Sequence, residues 1–355
     1  MDSNAPRPAS AAAIWAGMVV LYIVWGSTYL GIRFAIESMP PFLMASARFL
    51  ISGGVLYAWR KGRGDPPPTL AQWKSAAVVG LFLLLGGNGG VVWAEQRIPS
   101  GIAALLVGAT PLWFVILDAL LRRFAPRRAT TQSLPGWVAL VGLAAGFGGI
   151  VLLISPTELA GLGEHIDLLG GLVVVLAALS WSAGSLFSRT ADLPSSPLLS
   201  PAMEMIVGGT ALGLLGTVSG EWSRLDLAAI TARSWLGLGY LVIFGALVGY
   251  VTYTWLLRSA PTTLVSTYAY VNPVVAIIVG NLLAQEPFTP RVLMSALVIL
   301  GSVVLVNARR PVRRKSVPTS IHRPDLGPQE PDNARIDQHD HRARDKSKNR
   351  GGAVG

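Results

Sequence analysis

Trp93–Asp118 reads WAEQRIPSGIAALLVGATPLWFVILD. From Ser100 to Leu117 it carries no charge, a length of about 27 Å at about 1.5 Å per helical residue. That nearly matches the roughly 30 Å hydrocarbon core of a bilayer. Pro111 sits mid-span, and charges stand only at the ends. The stretch also has an echo. A shift of 162 residues carries Trp73 to Trp235, Trp93 to Trp255, Pro99 to Pro261 and Pro111 to Pro273. A spanning helix with a central proline, present twice at one offset, marks an internally duplicated membrane protein.

Composition agrees. The 355 residues are 52% hydrophobic and 14% charged, with mean hydropathy +0.51, whereas a soluble domain carries about 25% charged residues. There is no cysteine, which excludes disulfides, thiolate metal sites and cysteine catalysis. The net charge of +10 lies in loops and tail and is no nucleic-acid signal, because no basic face or folded module accompanies it. The first apolar run is too long for a signal peptide's core, so it reads as an uncleaved first helix.

Ten spans are expected, over residues 12–34, 42–60, 73–94, 100–121, 135–154, 168–187, 199–218, 235–256, 262–284 and 290–307. Proline or charge marks the connections. With the N-terminus inside, the inner loops hold Arg60, Lys61, Arg63, Lys74, Arg122, Arg123, Arg127, Arg128, Arg189, Arg258 and a final cluster from Arg309 to Lys315. The outer loops hold only Arg33, Arg97, Arg224, Arg233 and Arg291. The excess of basic residues puts both termini in the cytoplasm.

A second offset, 156, relates the earlier helices: Trp25 to Trp181, Arg33 to Arg189, Pro41 to Pro197, Arg48 to Glu204 and Gly53 to Gly209. Residues 12–155 and 168–308 thus read as two copies of a five-helix unit. Five is odd, so the copies run in opposite senses through the membrane, as in many secondary transporters. Residues 309–355 lose the apolar pattern and read as a disordered cytoplasmic tail. His339 and His341 in the tail are solvated histidines rather than metal ligands, and nothing in the sequence asks for a cofactor or metal.

The segments WGSTYLGIRFAIE (25–37), ARFLISGG (47–54), GNGGVVWAEQRIPSGIAALLVGATPLW (87–113), MEMIVGG (203–209) and STYAYVNPVVAIIVGNLLAQE (266–286) resemble the EamA-type transporters of the drug/metabolite transporter superfamily. The resemblance covers about 12–308. It implies an all-α integral membrane protein with ten helices in an inverted five-plus-five repeat, a bacterial inner-membrane location, and movement of a small-molecule substrate. An amino acid, another metabolite or a drug-like compound is the expected solute, and export the expected direction.

A charge in hydrocarbon costs about 2.5–3.5 kcal/mol, so it faces a cavity or a partner. Arg48 and Glu95 both fall in the outer third and are a candidate pair, as an outer gate, a carboxylate anchor or a structural bridge. Glu204, the counterpart of Arg48, falls near the inner face, where Arg189 or Arg258 can meet it. Arg48/Glu95 and Glu204/Arg258 are candidate closures of opposite mouths, and Glu95 and Glu204 are the candidate carriers of a coupling proton. Asp118 pairs locally with Arg122 four residues on. The pathway lining is expected from Trp25, Asn88, Trp93, Trp181, Tyr250, Tyr253, Tyr268, Tyr270 and Asn272. Trp93, Tyr268 and Tyr270 also fit an interfacial aromatic belt. Pro111 and Pro273 each free a carbonyl one turn earlier, near Val107 and Ala269, and are candidate hinges.

There is no phosphate-binding loop, which argues against ATP hydrolysis in this chain. No HExxH and no histidine within a span supports an intramembrane enzyme. The rival reading is a polytopic protein that transports nothing, such as an intramembrane enzyme, sensor or scaffold.

Overall fold

All regular structure is helical in the residues that the computed structural model describes, which are 9–124, 137–154, 167–260, 262–265, 267–286 and 289–307. The chain divides into a compact body ending at Arg310 and a separate segment, Pro311–Gly355. That segment, with His339 and His341, lies outside the described residues, as does the side chain of Tyr270. The principal helices are α1 (Ala11–Ala35), α2 (Pro41–Gly62), α3 (Leu70–Ala94), α4 (Ser100–Phe124), α5 (Trp137–Ile154), α6 (Leu168–Ser188), α7 (Leu199–Val218), α8 (Ala232–Ser259), α9 (Tyr268–Ala284) and α10 (Pro290–Asn307).

Among the described residues, seven helices, α1 to α4 and α6 to α8, are long and apolar enough to cross a membrane. The other three expected spans are shorter apolar stretches inside α5, α9 and α10. In α9 the shortening has local causes. A separate turn of helix, Thr262–Val265, precedes it. Gln285 then ends it in the left-handed conformation, with φ 53°, a geometry that closes helices.

An apolar core is buried, but the outer surface is unlike a soluble protein's. Large apolar side chains such as Ile23, Val55, Leu176, Leu236 and Leu282 face outward, while Arg48, Glu95, Glu204 and Asn272 are buried. Water would penalise the first arrangement, and lipid tails reward it.

The helix starts follow from their sequences. The Ser10 hydroxyl accepts from the Ala13 amide at 3.2 Å. Thr69 and Gln72 form a reciprocal capping box on α3, and Thr231 caps α8 through the Ser234 amide at 3.2 Å. Thr69 and Thr231 obey the 162 offset. Two wide-turned π-helical stretches, Leu81–Gly89 in α3 and Leu241–Tyr250 in α8, overlap under the same shift without matching end for end.

Packing is reciprocal as well. Helix α2 lies along α7 and α5 along α10, while α1 packs on α8 and α9, as α6 does on α3 and α4. The α2–α7 crossing needs small residues from both sides. A Cβ on Gly53 would meet the Ala202 carbonyl at 2.9 Å, and one on Gly209 would meet the Leu50 amide at 3.0 Å.

Candidate functional site

Between α1, α2, α3, α4, α6, α8 and α9 lies a cavity of about 70 Å³. Several waters would fit, at roughly 10–15 Å³ of such volume each. Trp25 and Trp181, related by the 156 offset, form one wall and meet edge to face with centroids 5.5 Å apart. Tyr268 stands against Trp25 at 5.3 Å and Tyr250 against Trp181 at 6.3 Å. Tyr253 backs this cluster, 4.9 Å from Trp25. Its hydroxyl accepts from Trp181 Nε1 at 3.1 Å and lies 2.8 Å from Ser185 Oγ. Such edge and tilted contacts fix ring orientation at about 0.5–1.5 kcal/mol per pair. Tyr253 thus supports the wall without lining it.

Arg48 reaches the cavity from α2 and is the one charged side chain among the described lining residues. It is 4% exposed. Its guanidinium lies 4.7 Å from the Phe49 ring centroid, and Nε and Nη1 have no hydrogen-bond partner. Gly245 makes room for it, since a Cβ there would lie 2.7 Å from Nη2. Asn88, in the π-helical part of α3, also lines the cavity, and its Oδ1 has no partner. Both wide turns therefore contribute to the site, Asn88 from one and Gly245 and Tyr250 from the other. Such turns cluster at functional sites because they re-aim side chains.

Tyr250 also leads out of the cavity. Its hydroxyl donates to Glu204 Oε2 at 2.6 Å, while Ser200 Oγ donates to Oε1 at 3.1 Å. Glu204 in turn lines a second cavity, of about 20 Å³, with Ser188, Arg189, Thr254 and Arg258. Arg258 spends one donor on the Pro194 carbonyl at 3.1 Å. Glu204 thus shares a cavity with both arginines named as its partners, yet bonds to Tyr250 and Ser200.

Arg48 and Glu95 are neighbours in electrostatic reach, but no hydrogen bond joins them. Glu95 is fully buried, outside the cavity lining, with both carboxylate oxygens unpartnered. Arg33 Nη1 donates to its backbone carbonyl at 2.8 Å. Trp93 lies away from the cavity, with the Arg97 guanidinium 4.6 Å from its ring centroid. Asn272 is buried, with neither amide atom partnered, and is not among the lining residues. Asp118 and Arg122 pair at 2.8 Å.

The two prolines differ in setting. Helix α4 breaks between Ser100–Val107 and Thr110–Phe124, so Pro111 is the second residue of a new half-helix rather than a mid-helix kink. The Val107 carbonyl that it frees accepts from Thr110 Oγ1 at 2.5 Å. Pro273 stays inside α9. The break meets α9 there: a Cβ on Gly108 would lie 3.1 Å from both the Ala269 carbonyl and Pro273 Cγ.

Two carboxylates outside the expected set hold helix ends together across the halves. Glu286 accepts from the Ser100 and Gly101 amides at 2.9 and 3.0 Å. Glu221 accepts from the Phe42 and Leu43 amides at 3.2 and 2.9 Å. Both helices begin after a proline N-cap that offers no side-chain acceptor, so their first amides need one from elsewhere. That shortage is the sequence signal that points to them. Outside the spans, Asp65 is held below its ordinary carboxylate range chiefly by its hydrogen bond from Arg60. Asp167 is lowered chiefly by the Gly170 amide and then by Arg97.

The sequence model of the EamA-like transporter family matches residues 11–155 and again 168–308. An Escherichia coli (strain K12) protein called uncharacterized inner membrane transporter YedA is 37% identical over 82% of this chain and 90% of its own length. The uncharacterized transporter sll0355 of Synechocystis is 23% identical over 83% of this chain and 90% of its own length. A crystal structure of a protein 19% identical superposes with TM-score 0.59, covering 84% of this chain and 98% of the other, and speaks to the fold alone. The chain is a multi-pass membrane transporter and belongs to the EamA-like transporter family.

Proposed function

We propose that this protein is a secondary transporter of the bacterial inner membrane that exports a small organic solute, an amino acid, another metabolite or a drug-like compound. In this reading ten helices cross the membrane as two inverted five-helix halves, 12–155 and 168–308. Both termini, and the tail 309–355, are cytoplasmic. The observation that supports it most is a central cavity whose lining comes from both halves, with Trp25, Arg48 and Asn88 from one and Trp181, Tyr250 and Tyr268 from the other. Rocking one half against the other would open such a cavity to each side in turn. The α4 break against Pro273 is the proposed hinge.

Protons are the proposed coupling ion, with Glu204 as carrier. Tyr250 stands between the solute cavity and Glu204, so protonating the carboxylate alters a hydrogen bond made by a cavity wall. Ionised, Glu204 can only accept, and it takes the Tyr250 O–H; protonated, it carries an O–H of its own that Tyr250 can accept, which lets the phenol turn its hydrogen toward the solute.

The test is flux in proteoliposomes holding the purified chain, with labelled solutes and imposed pH gradients at clamped membrane potential. Solute-dependent flux that grows with the gradient is expected. Absence of flux across a broad panel in both directions would end the transport reading. Flux indifferent to the pH gradient would end the proton one.

A further inference from the structure

We infer that the solute of the central cavity is a monoanionic organic carboxylate with an apolar body, seated by its carboxylate on Arg48. The inference rests on the transport reading and narrows its solute. A buried cation needs an anion or acceptors to offset its desolvation. Arg48 is the one charged group among the described lining residues, and two of its nitrogens are unpartnered. Glu95 acts on it only across space. Its guanidinium therefore stands at the cavity with hydrogen-bonding capacity that no protein group uses.

The rest of the lining sets the remainder of the solute. Indole and phenol rings with Ile32, Phe49, Leu84 and Val91 provide an apolar wall. One guanidinium in such a wall balances a single negative charge. A phosphate monoester, at nearly two charges, would bring an excess that no described lining residue meets. Asn88 Oδ1 is an acceptor and cannot take the carboxylate. It suits a hydroxyl or amine hydrogen on the solute, so a donor beside the carboxylate should add affinity.

The test is calorimetric titration of the full chain in lipid nanodiscs with probes of one size: phenylacetate, mandelate, phenyl phosphate, phenethylamine and 2-phenylethanol. The carboxylates are expected to bind about tenfold or more tighter than the other three, with mandelate ahead of phenylacetate. Arg48→Gln should weaken both carboxylates about 30-fold, the scale of a hydrogen bond to a charged group, and leave 2-phenylethanol unchanged. Gly245→Ala keeps the charge and pushes the flexible guanidinium tip aside, so it should cost about fivefold even if Arg48→Gln fails to fold. Amine, alcohol or phosphate binding as tight as the carboxylates, no carboxylate binding, or carboxylate affinity indifferent to both substitutions would overturn the inference. Counterflow of labelled phenylacetate separates the two claims. Carboxylate binding without flux counts against transport and leaves the site assignment standing. Amine flux without carboxylate binding does the reverse.

Discussion

Arg48 on α2 and Glu204 on α7 stand at matching places in the two halves, on helices that pack against each other. Arg48 lines the larger cavity with two nitrogens unpartnered, while Glu204 lines the smaller one and is held by Tyr250 and Ser200. Around them the skeleton repeats: Thr69 and Thr231 at helix starts, Trp25 and Trp181 in one wall, Gly53 and Gly209 at one crossing. The buried charges do not repeat. Glu95 has Leu257 as its counterpart and Asp118 has Gly280. Close packing must be solved twice in the same way, because helices approach only where small residues allow it. A charge answers only to the cavity beside it. Repetition in this chain therefore reports scaffold, and departure from repetition reports chemistry.

The comparison breaks most visibly at Glu204. Glu204→Leu removes the acceptor of the 2.6 Å bond and strands the buried Tyr250 hydroxyl, a penalty of about 1–3 kcal/mol. Gradient-driven flux is expected to fall about 100-fold, equivalent to about 2.7 kcal/mol in the barrier. Glu204→Gln keeps the hydrogen bonding but cannot carry a proton. It should hold solute counterflow within about threefold of wild type and lose the response to the pH gradient. A gradient response retained by Glu204→Gln would show that the proton rides elsewhere.

At the scaffold positions the halves should behave alike. Gly53→Val and Gly209→Val each force a side chain against backbone of the facing helix, and each should cost about 1–3 kcal/mol, the usual price of overpacking. Thermal unfolding in detergent reads this directly. If one substitution were neutral and the other severe, the α2–α7 crossing would not be the equivalent contact that the offset implies.

The prolines sharpen the contrast at smaller amplitude. Pro111 occupies the first turn of a half-helix, where an amide would have no intrahelical acceptor, so Pro111→Ala should leave transport within about twofold of wild type. Pro273 interrupts the hydrogen bonding of α9, and Pro273→Ala restores it. A hinge at α9 should then stiffen and counterflow slow about fivefold, roughly 1 kcal/mol in the barrier. Equal slowing by both substitutions would count against an α9 hinge.

Much of this was legible in the sequence because apolar length and repeated tryptophan, proline and glycine are local signals. Aromatic and amide chemistry near mid-span points to Trp25, Trp181, Asn88, Tyr250 and Tyr268, and the structure gathers all five around one cavity with Arg48. What the sequence left open depends on direction rather than position. Residue spacing places Glu95 and Arg48 at similar depth, but it does not say that the two side chains stay unjoined. Pro111 reads as a mid-span kink, whereas the tight Gly108–Ala109 turn, packed on Ala269 and Pro273, breaks the helix first. Glu286 and Glu221 lie far along the chain from the amides they cap, so no window around residues 42 or 100 contains them. The π-helical stretches left no mark beyond their glycines.

The smallest expected effect lies at the first helix of each half. Ser10 caps α1 with a neutral hydroxyl, whereas Asp167 caps α6 with a carboxylate bonded to the Gly170 amide at 2.6 Å. Arg97 adds a contact at 3.3 Å, worth little at the surface. Asp167 is held below its ordinary value of 3.8, so its folded form binds a proton less readily than its unfolded form. Its contribution to stability is therefore full above that ordinary value and is lost as pH falls through the folded one. Asp167→Ser should keep a cap but remove the titration. Wild type is expected to unfold a few degrees higher than the variant near pH 6, with the difference closing as the medium is made more acidic than the ordinary carboxylate value. The same scan on Ser10→Ala should give a difference that does not move with pH. If both differences were flat, the α6 cap would be acting through geometry alone, and the charge asymmetry of the halves would lie with the buried Arg48, Glu95, Asp118 and Glu204.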